Sequence, residues 1–331
     1  MIIVFVLGYA AIALEHPIKV DKAASALIIG GLGWALFAFS GVDHHTLTHE
    51  IQHHIVDIAE ILFFLLGAMT IVELVDAHQG FSIITDKITT NKKVYLIWIL
   101  SVITFFFSAV LDNLTTAIVM AALLPKLIKD KETLWLFAGV LIMAANAGGA
   151  WSPIGDVTTI MLWIGGQVSA ANIISSVIIP STICAIVPLI YLSFKLKGDV
   201  ERPLDNELDE HKKNPTSPFE RNLVFYLGVC GLLFVPVFKT VTHLPPYVGM
   251  LLSLGVLWLV TEIIHRSKNH EVKSQLSVIG VLRKVDTPTI FFFLGILLAV
   301  ASLQSAGQLD IVATYLDTTF NGQTTEGIYI I

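Results

Sequence analysis

The feature that most constrains the fold is a polar, glycine-containing segment, residues 146–159, between two strongly apolar runs. It reads Asn-Ala-Gly-Gly-Ala-Trp-Ser-Pro-Ile-Gly-Asp-Val-Thr-Thr. Irregular backbone at membrane depth is tolerated only where protein buries it or where it lines a cavity, because lipid offers no hydrogen-bond partners. A carboxylate at that depth, here Asp156, indicates function. The segment therefore predicts an unwound helix that holds an ion or substrate site in a transporter.

The composition agrees with a membrane setting. Of the 331 residues, 55% are hydrophobic and 14% are charged, and the mean hydropathy is +0.77. This leaves too little polar surface for a soluble globule, so we predict an all-α polytopic membrane protein. Cys184 and Cys230 both lie in apolar runs and indicate no disulfide framework. The predicted spans lie near residues 2–14, 22–41, 55–77, 94–110, 134–146 continuing through 155–165, 172–194, 222–238, 246–264 and 288–306. We expect the first run to be a retained span, with a signal peptide as the alternative.

The basic residues fall almost entirely on one side of the membrane if residues 94–128 form a re-entrant hairpin. The second apolar run of this hairpin, 115–128, is too short to span a membrane. Nineteen of the 20 Lys and Arg residues then fall in connections on one side, and Lys239 falls on the other. The positive-inside rule makes that side cytoplasmic and leaves the N-terminus outside. We therefore expect a multi-pass protein, in a bacterial inner (cell) membrane, with its basic loops in the cytoplasm.

The sequence also repeats itself. Ile-Leu-Phe-Phe-Leu-Leu-Gly at 61–67 resembles Ile-Phe-Phe-Phe-Leu-Gly at 290–295, and Gly-Trp-Ala-Leu at 33–36 resembles Gly-Val-Leu-Trp at 255–258. We predict a first repeat of five helices and a hairpin over 1–196, a cytoplasmic linker over 197–221, and the start of a second repeat over 222–331. An odd number of crossings inverts the second repeat, as in many secondary transporters. Since residue 331 corresponds to about Thr104 of the first repeat, we expect the second repeat to be incomplete and to lack its half of the site.

Several motifs resemble those of a known family. The chain resembles the NhaD-type sodium/proton antiporters, within the ion transporter superfamily that also includes arsenite and dicarboxylate carriers. The motifs are Leu-Glu-His-Pro at 14–17, Asp-Lys-Ala-Ala at 21–24, Phe-Leu-Leu-Gly-Ala-Met-Thr at 64–70, Leu-Asp-Asn-Leu-Thr-Thr at 111–116, and the segment 146–159. The resemblance implies a sodium/proton antiporter. The chain has a carboxylate both in the hairpin tip and in the broken helix, and this pattern is similar to that of the cation antiporters.

Both polar clusters offer the oxygen ligands that Na⁺ prefers. We expect the cation-binding and proton-coupling residues to be Asp112, Asn113, Thr115 and Thr116 at the hairpin tip, with Asn146, Ser152, Asp156, Thr158 and Thr159 in the unwound stretch. The nominated Na⁺ ligands are Asp112, Asn113, Asn146 and Asp156. The structural alternatives are a solvated cap or turn for Asp112 and an N-cap of residues 157–165 for Asp156.

Antiport requires one site that holds either Na⁺ or protons. A partly desolvated carboxylate does this, because burial favours its protonated form and a bound cation favours its ionised form. The alternative function is an anion carrier for arsenite or a dicarboxylate, which two carboxylates would disfavour. A membrane-embedded enzyme or an assembly subunit is a third reading, and no His-Glu-x-x-His, nucleophile elbow or phosphate loop supports an enzyme.

Three other titratable residues are candidates for a proton relay or a pH response. Glu60 and Glu73 both lie in the third predicted span. His53 belongs to a group of five histidines within residues 44–54, of which those at 45, 49 and 53 would share one helix face. The alternatives for this group are a solvated amphipathic connection or adventitious Zn²⁺ or Ni²⁺ binding. We expect no cofactor beyond the transported Na⁺ or Li⁺ and H⁺, no nucleic acid partner, and a lipid bilayer, with a homodimer as one open alternative.

Overall fold

The computed structural model describes residues 1–85, 88–201 and 216–319. The described chain is helical throughout, with one isolated antiparallel bridge between Lys92 and Asp199 as its only β pairing. Within these ranges, seven helices are long and apolar enough to cross a membrane. The predicted all-α polytopic membrane protein is therefore confirmed.

The helices follow the predicted apolar runs closely. In chain order they are α1 (Ile2–Ala13), α2 (Glu15–Ile18), α3 (Lys22–Ala38), α4 (His44–Ala77), α5 (Ser82–Thr85), α6 (Lys93–Leu111), α7 (Asn113–Leu127), α8 (Lys131–Ala150), α9 (Val157–Ile164), α10 (Ala170–Lys195), α11 (Pro218–Thr242), α12 (Pro246–Ile264), a 3-10 turn (His265–Ser267), α13 (His270–Leu276), α14 (Val278–Leu282), α15 (Thr287–Ser305) and α16 (Gln308–Thr319).

The largest difference from the predicted spans is the start of α4. This helix is 34 residues long and begins at His44, eleven residues before the predicted run. The Asp43 carboxylate accepts hydrogen bonds from the backbone N–H groups of His45 and Thr46, which is how an N-cap starts a helix. Hydropathy alone missed this start because the first turns are polar. The histidine-rich segment is thus helical and continuous with the apolar span.

The described residues form two compact units. Unit 1 consists of Met1–Leu62 and the chain from Asp286 onward, and unit 2 consists of Phe63–Val285. In unit 1, α3 packs closely against α15. A Cβ atom on Gly30 would lie 2.7 Å from the carbonyl oxygen of Gly295, so only glycine permits this approach. Small residues commonly allow such contacts between helices in membranes.

In unit 2, α6 and α7 form a helical hairpin that packs on α8. The start of α6 and the end of α7 share one apolar core with α8, which is the arrangement of antiparallel neighbours. The buried side chains of this core include Leu96, Ile97, Leu100, Met120, Leu124, Leu127, Phe137 and Leu141. The tip of the hairpin, at Asp112, therefore lies at the other end of this pair of helices.

Both ends of the hairpin pair with one stretch of backbone, residues 198–201, that follows α10. The Lys93 N–H donates to Gly198 O at 3.2 Å, and the Lys129 N–H donates to Glu201 O at 2.9 Å. The chain thus enters and leaves the hairpin at one place, as the re-entrant interpretation requires. The position of the hairpin in a bilayer stays a prediction, as do the boundaries of the two repeats.

Candidate cation-binding site

The hairpin tip is a one-residue turn at Asp112. Its backbone has φ +78° and ψ 156°, a region that residues other than glycine rarely adopt. The Asp112 carboxylate holds the turn: Oδ1 accepts from the Thr115 N–H at 2.8 Å, and Oδ2 accepts from the Thr115 hydroxyl at 2.7 Å. Asp112 therefore caps α7. Backbone strain of this kind persists only where surrounding contacts enforce it, and it is concentrated at functional sites.

The break between α8 and α9 is shorter than the sequence predicts. We expected the unwound backbone to begin at Asn146, but α8 continues to Ala150, and residues 151–156 alone are irregular. Asp156 then caps α9, since its Oδ1 accepts from the Thr158 N–H at 2.8 Å. Asn146 is therefore on a helix, and Thr158 and Thr159 lie in the first turn of α9.

The glycines at the end of α8 are packing residues, which is why the helix does not break there. A Cβ atom on Gly148 would lie 2.1 Å from the carbonyl oxygen of Phe105 in α6. Two hydroxyls brace the same contact: Ser108 donates to Ala145 O and Ser152 donates to Ala109 O, each at 2.5 Å. The close approach of α6 and α8 places the hairpin tip beside the break in the helix.

The two predicted clusters meet at the side chain of Asn113. Its Nδ2 donates to Asn146 Oδ1 at 3.0 Å and to Asp156 Oδ2 at 2.5 Å. Asn146 is held in place by a hydrogen bond from its own Nδ2 to Ile142 O at 2.8 Å. One amide nitrogen from the hairpin tip thus donates to two acceptor oxygens, one from α8 and one from the cap of α9. Asp112 precedes Asn113 in the chain.

The remaining predicted ligands are placed less centrally. Thr115 is committed to the Asp112 carboxylate, and Thr116 is buried with its hydroxyl oxygen lacking a hydrogen-bond partner in the structure. Ser152 is buried and braces α6. Thr159 donates to Ser152 O at 2.8 Å and to Asp156 O at 2.9 Å, and Thr158 is exposed. Among the described residues, Asn113 is hydrogen-bonded to none of these last three.

No hydrogen bond or ion pair in the described chain joins Glu73 to the site, and its side chain is half-buried in α4. Glu60 is half-buried in the part of α4 that belongs to unit 1. His53 is exposed on α4, with Nδ1 3.9 Å from an oxygen of Asp57. Across the described ranges, no group of three or more His, Cys, Asp and Glu side chains could hold a metal ion. The predicted relay residues therefore stay predictions.

Sequence reasoning missed two features of unit 2. Ser108 has no motif that distinguishes it from other serines in apolar helices, yet it bonds α6 to α8. His78 and His265 form a buried pair although they are 187 residues apart. No spacing rule links residues that far apart, so neither contact could be found without the fold.

Comparisons with known proteins agree with the resemblance seen in the motifs. Residues 9–331 match the family model described as citrate transporter (CitMHS). Sodium/proton antiporter 1 of Arabidopsis thaliana is 45% identical over 319 residues, which are 96% of this chain and 54% of that protein. Sodium/proton antiporter 2 of the same plant is 42% identical over 322 residues, covering 96% and 74% respectively. The Na⁺/H⁺ antiporter NhaD of Vibrio cholerae is 29% identical over 349 residues, covering 97% and 71%.

This chain therefore spans between about half and three quarters of the length of these relatives. The predicted resemblance to the NhaD-type antiporters is confirmed. The relatives are transporters, so the prediction that the chain is not an enzyme is confirmed as well.

Proposed function

The chain belongs to the citrate transporter (CitMHS) family, and we propose that the protein is a secondary active Na⁺/H⁺ antiporter. The observation that carries this proposal is the meeting of a hairpin tip and a broken helix at Asn113, with a carboxylate on each side. The antiporter names of the relatives support it. Because the chain spans only 54% of the first of them, the activity is proposed for the whole protein.

The cation would bind where the Asn113 amide now donates. Two oxygens, Asn146 Oδ1 and Asp156 Oδ2, already converge on Asn113 Nδ2. Rotation of the amide would exchange this nitrogen for its carbonyl oxygen, so that three oxygens face one position. A carboxylate and two amide carbonyls are ligands that suit a hard cation such as Na⁺ or Li⁺. The buried Thr116 hydroxyl, which has no hydrogen-bond partner among the described residues, is a further oxygen at the same tip.

Protons and cations would compete through Asp156. One of its oxygens holds the N-terminus of α9, and the other faces Asn113. A proton on the second oxygen would neutralise the charge that attracts the cation, whereas a bound cation would favour the ionised carboxylate. The site therefore holds one or the other, and opposite flows become coupled.

Asp112 would contribute in a different way. Both of its oxygens accept hydrogen bonds from Thr115, and Asp112 directly precedes Asn113 in the chain. Its negative charge raises the cost of leaving the site without a cation or a proton. A cation that binds Asp112 directly would displace the Thr115 hydroxyl and leave the backbone cap in place.

The anion-carrier alternative is not favoured. Arsenite or a dicarboxylate would meet two carboxylates, at Asp112 and Asp156, in a site that contains no described basic side chain. The family description names citrate, but the relatives described above are named as sodium/proton antiporters.

We also propose the sidedness that the basic residues indicate. The start of α6 and the end of α7 lie beside the backbone that follows α10. These three places all belong to connections predicted to be cytoplasmic. The protein is a multi-pass membrane protein. Its relatives come from plants as well as bacteria, and a bacterial inner membrane stays a prediction.

The test is to remove charge while keeping shape. Asp156→Asn and Asp112→Asn in the full-length protein should each abolish Na⁺-driven proton movement, measured as Na⁺-dependent dequenching of a pH dye in vesicles. Asparagine caps helices nearly as well as aspartate, so both variants should fold and insert.

Asp130→Asn is the matched control. Asp130 caps α8 through the same two donor groups, the N–H and the hydroxyl of a threonine three residues on, that Asp112 uses on α7. One oxygen of Asp130, Oδ2, accepts from the N–H of Thr133 at 2.9 Å and from its hydroxyl at 2.6 Å. This control should transport normally. If Asp112→Asn or Asp156→Asn also exchanged at a near-normal rate, that residue would be a helix cap only and the proposed mechanism would fail.

A further inference from the structure

His78 and His265 form a fully buried histidine pair in unit 2. Their exposed fractions are 0% and 1%. The rings stack with centroids 5.0 Å apart and planes 14° apart, and the two Nε2 atoms are 3.2 Å apart. His78 follows the last residue of α4, and His265 follows the last residue of α12. The pair therefore connects the C-terminal ends of two helices.

The hydrogen bonds fix how many protons the pair holds. His78 Nδ1 lies 2.6 Å from Leu74 O, and a carbonyl oxygen can only accept, so Nδ1 carries a proton. In a neutral His78 ring, Nε2 is then an acceptor, and the facing Nε2 of His265 must donate. A proton added to His78 would place two N–H groups against each other unless His265 changed tautomer. Two added protons could not be accommodated.

The neighbouring charges are already paired with each other. Glu220, from α11, lies 2.7 Å from Lys268, which follows α12, and Glu262 of α12 lies 3.0 Å from Lys273 of α13. On the side of α4, Thr216 donates to His78 O at 3.4 Å, and Arg221 donates to the Ser82 hydroxyl at 2.9 Å. Each carboxylate is accompanied by a lysine, whose positive charge opposes the attraction of that carboxylate for a charged imidazole. The titratable and charged groups that act on the pair are Glu220, Glu262, Lys268 and Lys273.

Burial lowers the pKa of the His78 imidazole from its ordinary value of 6.5 to about 4. The His78 ring in the closed pair is thus neutral over the physiological range. An opened pair, in contact with water, would regain the ordinary value.

We infer that the His78–His265 contact is an acid-sensitive latch, a second proton-binding site apart from the carboxylates. It ties the end of α4 to the end of α12 and opens when the pair takes up protons. The linkage has a defined sign. A lowered pKa in the closed state means that the open state binds more protons as the pH falls below 6.5. Opening is then favoured by up to about tenfold per pH unit for each histidine, and it is independent of pH well above 6.5.

The inference goes beyond antiport, because it concerns a contact and not the transport cycle. With the proposed sidedness, the joined ends of α4 and α12 and the start of α11 all face the cytoplasm. The latch would therefore respond to cytoplasmic acidification by loosening three helix ends. Binding of Na⁺ or a proton at the carboxylate site would not depend on whether the latch is open.

Hydrogen exchange measured by mass spectrometry on the full-length protein in detergent tests this directly. Peptides covering residues 74–85 and 260–268 would be followed from pH 8 to pH 5, with labelling times adjusted for the intrinsic pH dependence of amide exchange. We expect protection to be constant from pH 8 to pH 7. It should then fall by more than tenfold per pH unit between about pH 6 and pH 5, because two histidines titrate in the open state.

The variants separate the latch from general acid sensitivity. His78→Gln and His265→Gln should each reduce the loss of protection to about tenfold per pH unit. The double variant should show no loss of protection as the pH falls. His54→Gln, which changes a partly buried histidine of unit 1, should leave the loss unchanged. A flat wild-type profile would overturn the inference. The inference would also be overturned if both single variants lost protection with pH as steeply as the wild-type protein. That comparison decides the question even if the double variant does not fold. None of these readouts requires transport, so failure of the Asp156 test would not affect them.

Discussion

Gly148→Ala tests whether the contact between α6 and α8 positions the site. The added Cβ atom would lie 2.1 Å from the Phe105 carbonyl oxygen, whereas ordinary contact begins at 3.4 Å. The helices would therefore have to separate by the difference, 1.3 Å. The obstructing atom belongs to helix backbone and cannot rotate away. Overpacking of this kind costs about 1–3 kcal/mol.

Gly139→Ala is the matched control, because Gly139 lies on the same helix and a Cβ atom there would meet nothing within 4 Å. Both substitutions add one methyl group to α8, so the gain in helix propensity, about 0.5–1 kcal/mol, cancels between them. The difference in the free energy of unfolding between the two variants should thus report the clash alone, about 1–3 kcal/mol.

The assay is thermal unfolding of the purified protein in one detergent, followed by Na⁺-dependent proton movement in vesicles. We expect Gly139→Ala to unfold at or above the wild-type temperature with normal transport. Gly148→Ala should unfold at a lower temperature and lose most transport, because a shift of about 1 Å separates Asn113 from Asn146 and Asp156. Equal unfolding temperatures for the two variants would contradict the close approach of α6 to Gly148.

Two further predictions concern the hairpin. Single cysteines placed at Lys92 and at Lys129 should be labelled from the same side of the membrane, since the backbone beside both pairs with residues 198–201; labelling from opposite sides would exclude the re-entrant hairpin. Asp112→Asn and Asp130→Asn should each change the free energy of unfolding by only a few tenths of a kcal/mol, because asparagine is as good a cap as aspartate; a much larger loss for Asp112→Asn would mean that its charge is structural.

Hydropathy located most of the helices, because each apolar run in this chain is bounded by charged or cap-forming residues. It misplaced the start of α4, since an Asp43 cap starts a helix whose first turns are polar. It also ended α8 too early. Glycines read as helix breakers when only the sequence is considered, but Gly148 lies where α6 approaches closely, and only the packed structure distinguishes the two uses.

The candidate site was predictable as two separate clusters but not as one. Asp112 and Asp156 are recognisable from their positions between apolar runs. The contact of Asn113 with Asn146 and Asp156 depends on how the hairpin packs against α8, which no local pattern encodes. The His78–His265 pair escaped for the same reason. The predicted relay at Glu60, Glu73 and His53 rests on position in a predicted span and on the spacing of the histidines, and it stays a prediction.

The most direct test of the shared site is the Na⁺ dependence of proton movement at several pH values. If Na⁺ and protons compete for the same carboxylates, the apparent KM for Na⁺ should rise in proportion to proton concentration below the effective pKa of the site, with little change in the maximal rate. A separate relay, such as one at His53, would instead change the maximal rate and leave the KM nearly constant. A KM for Na⁺ that does not change with pH would contradict the shared-site mechanism, even if Asp112 and Asp156 both proved essential.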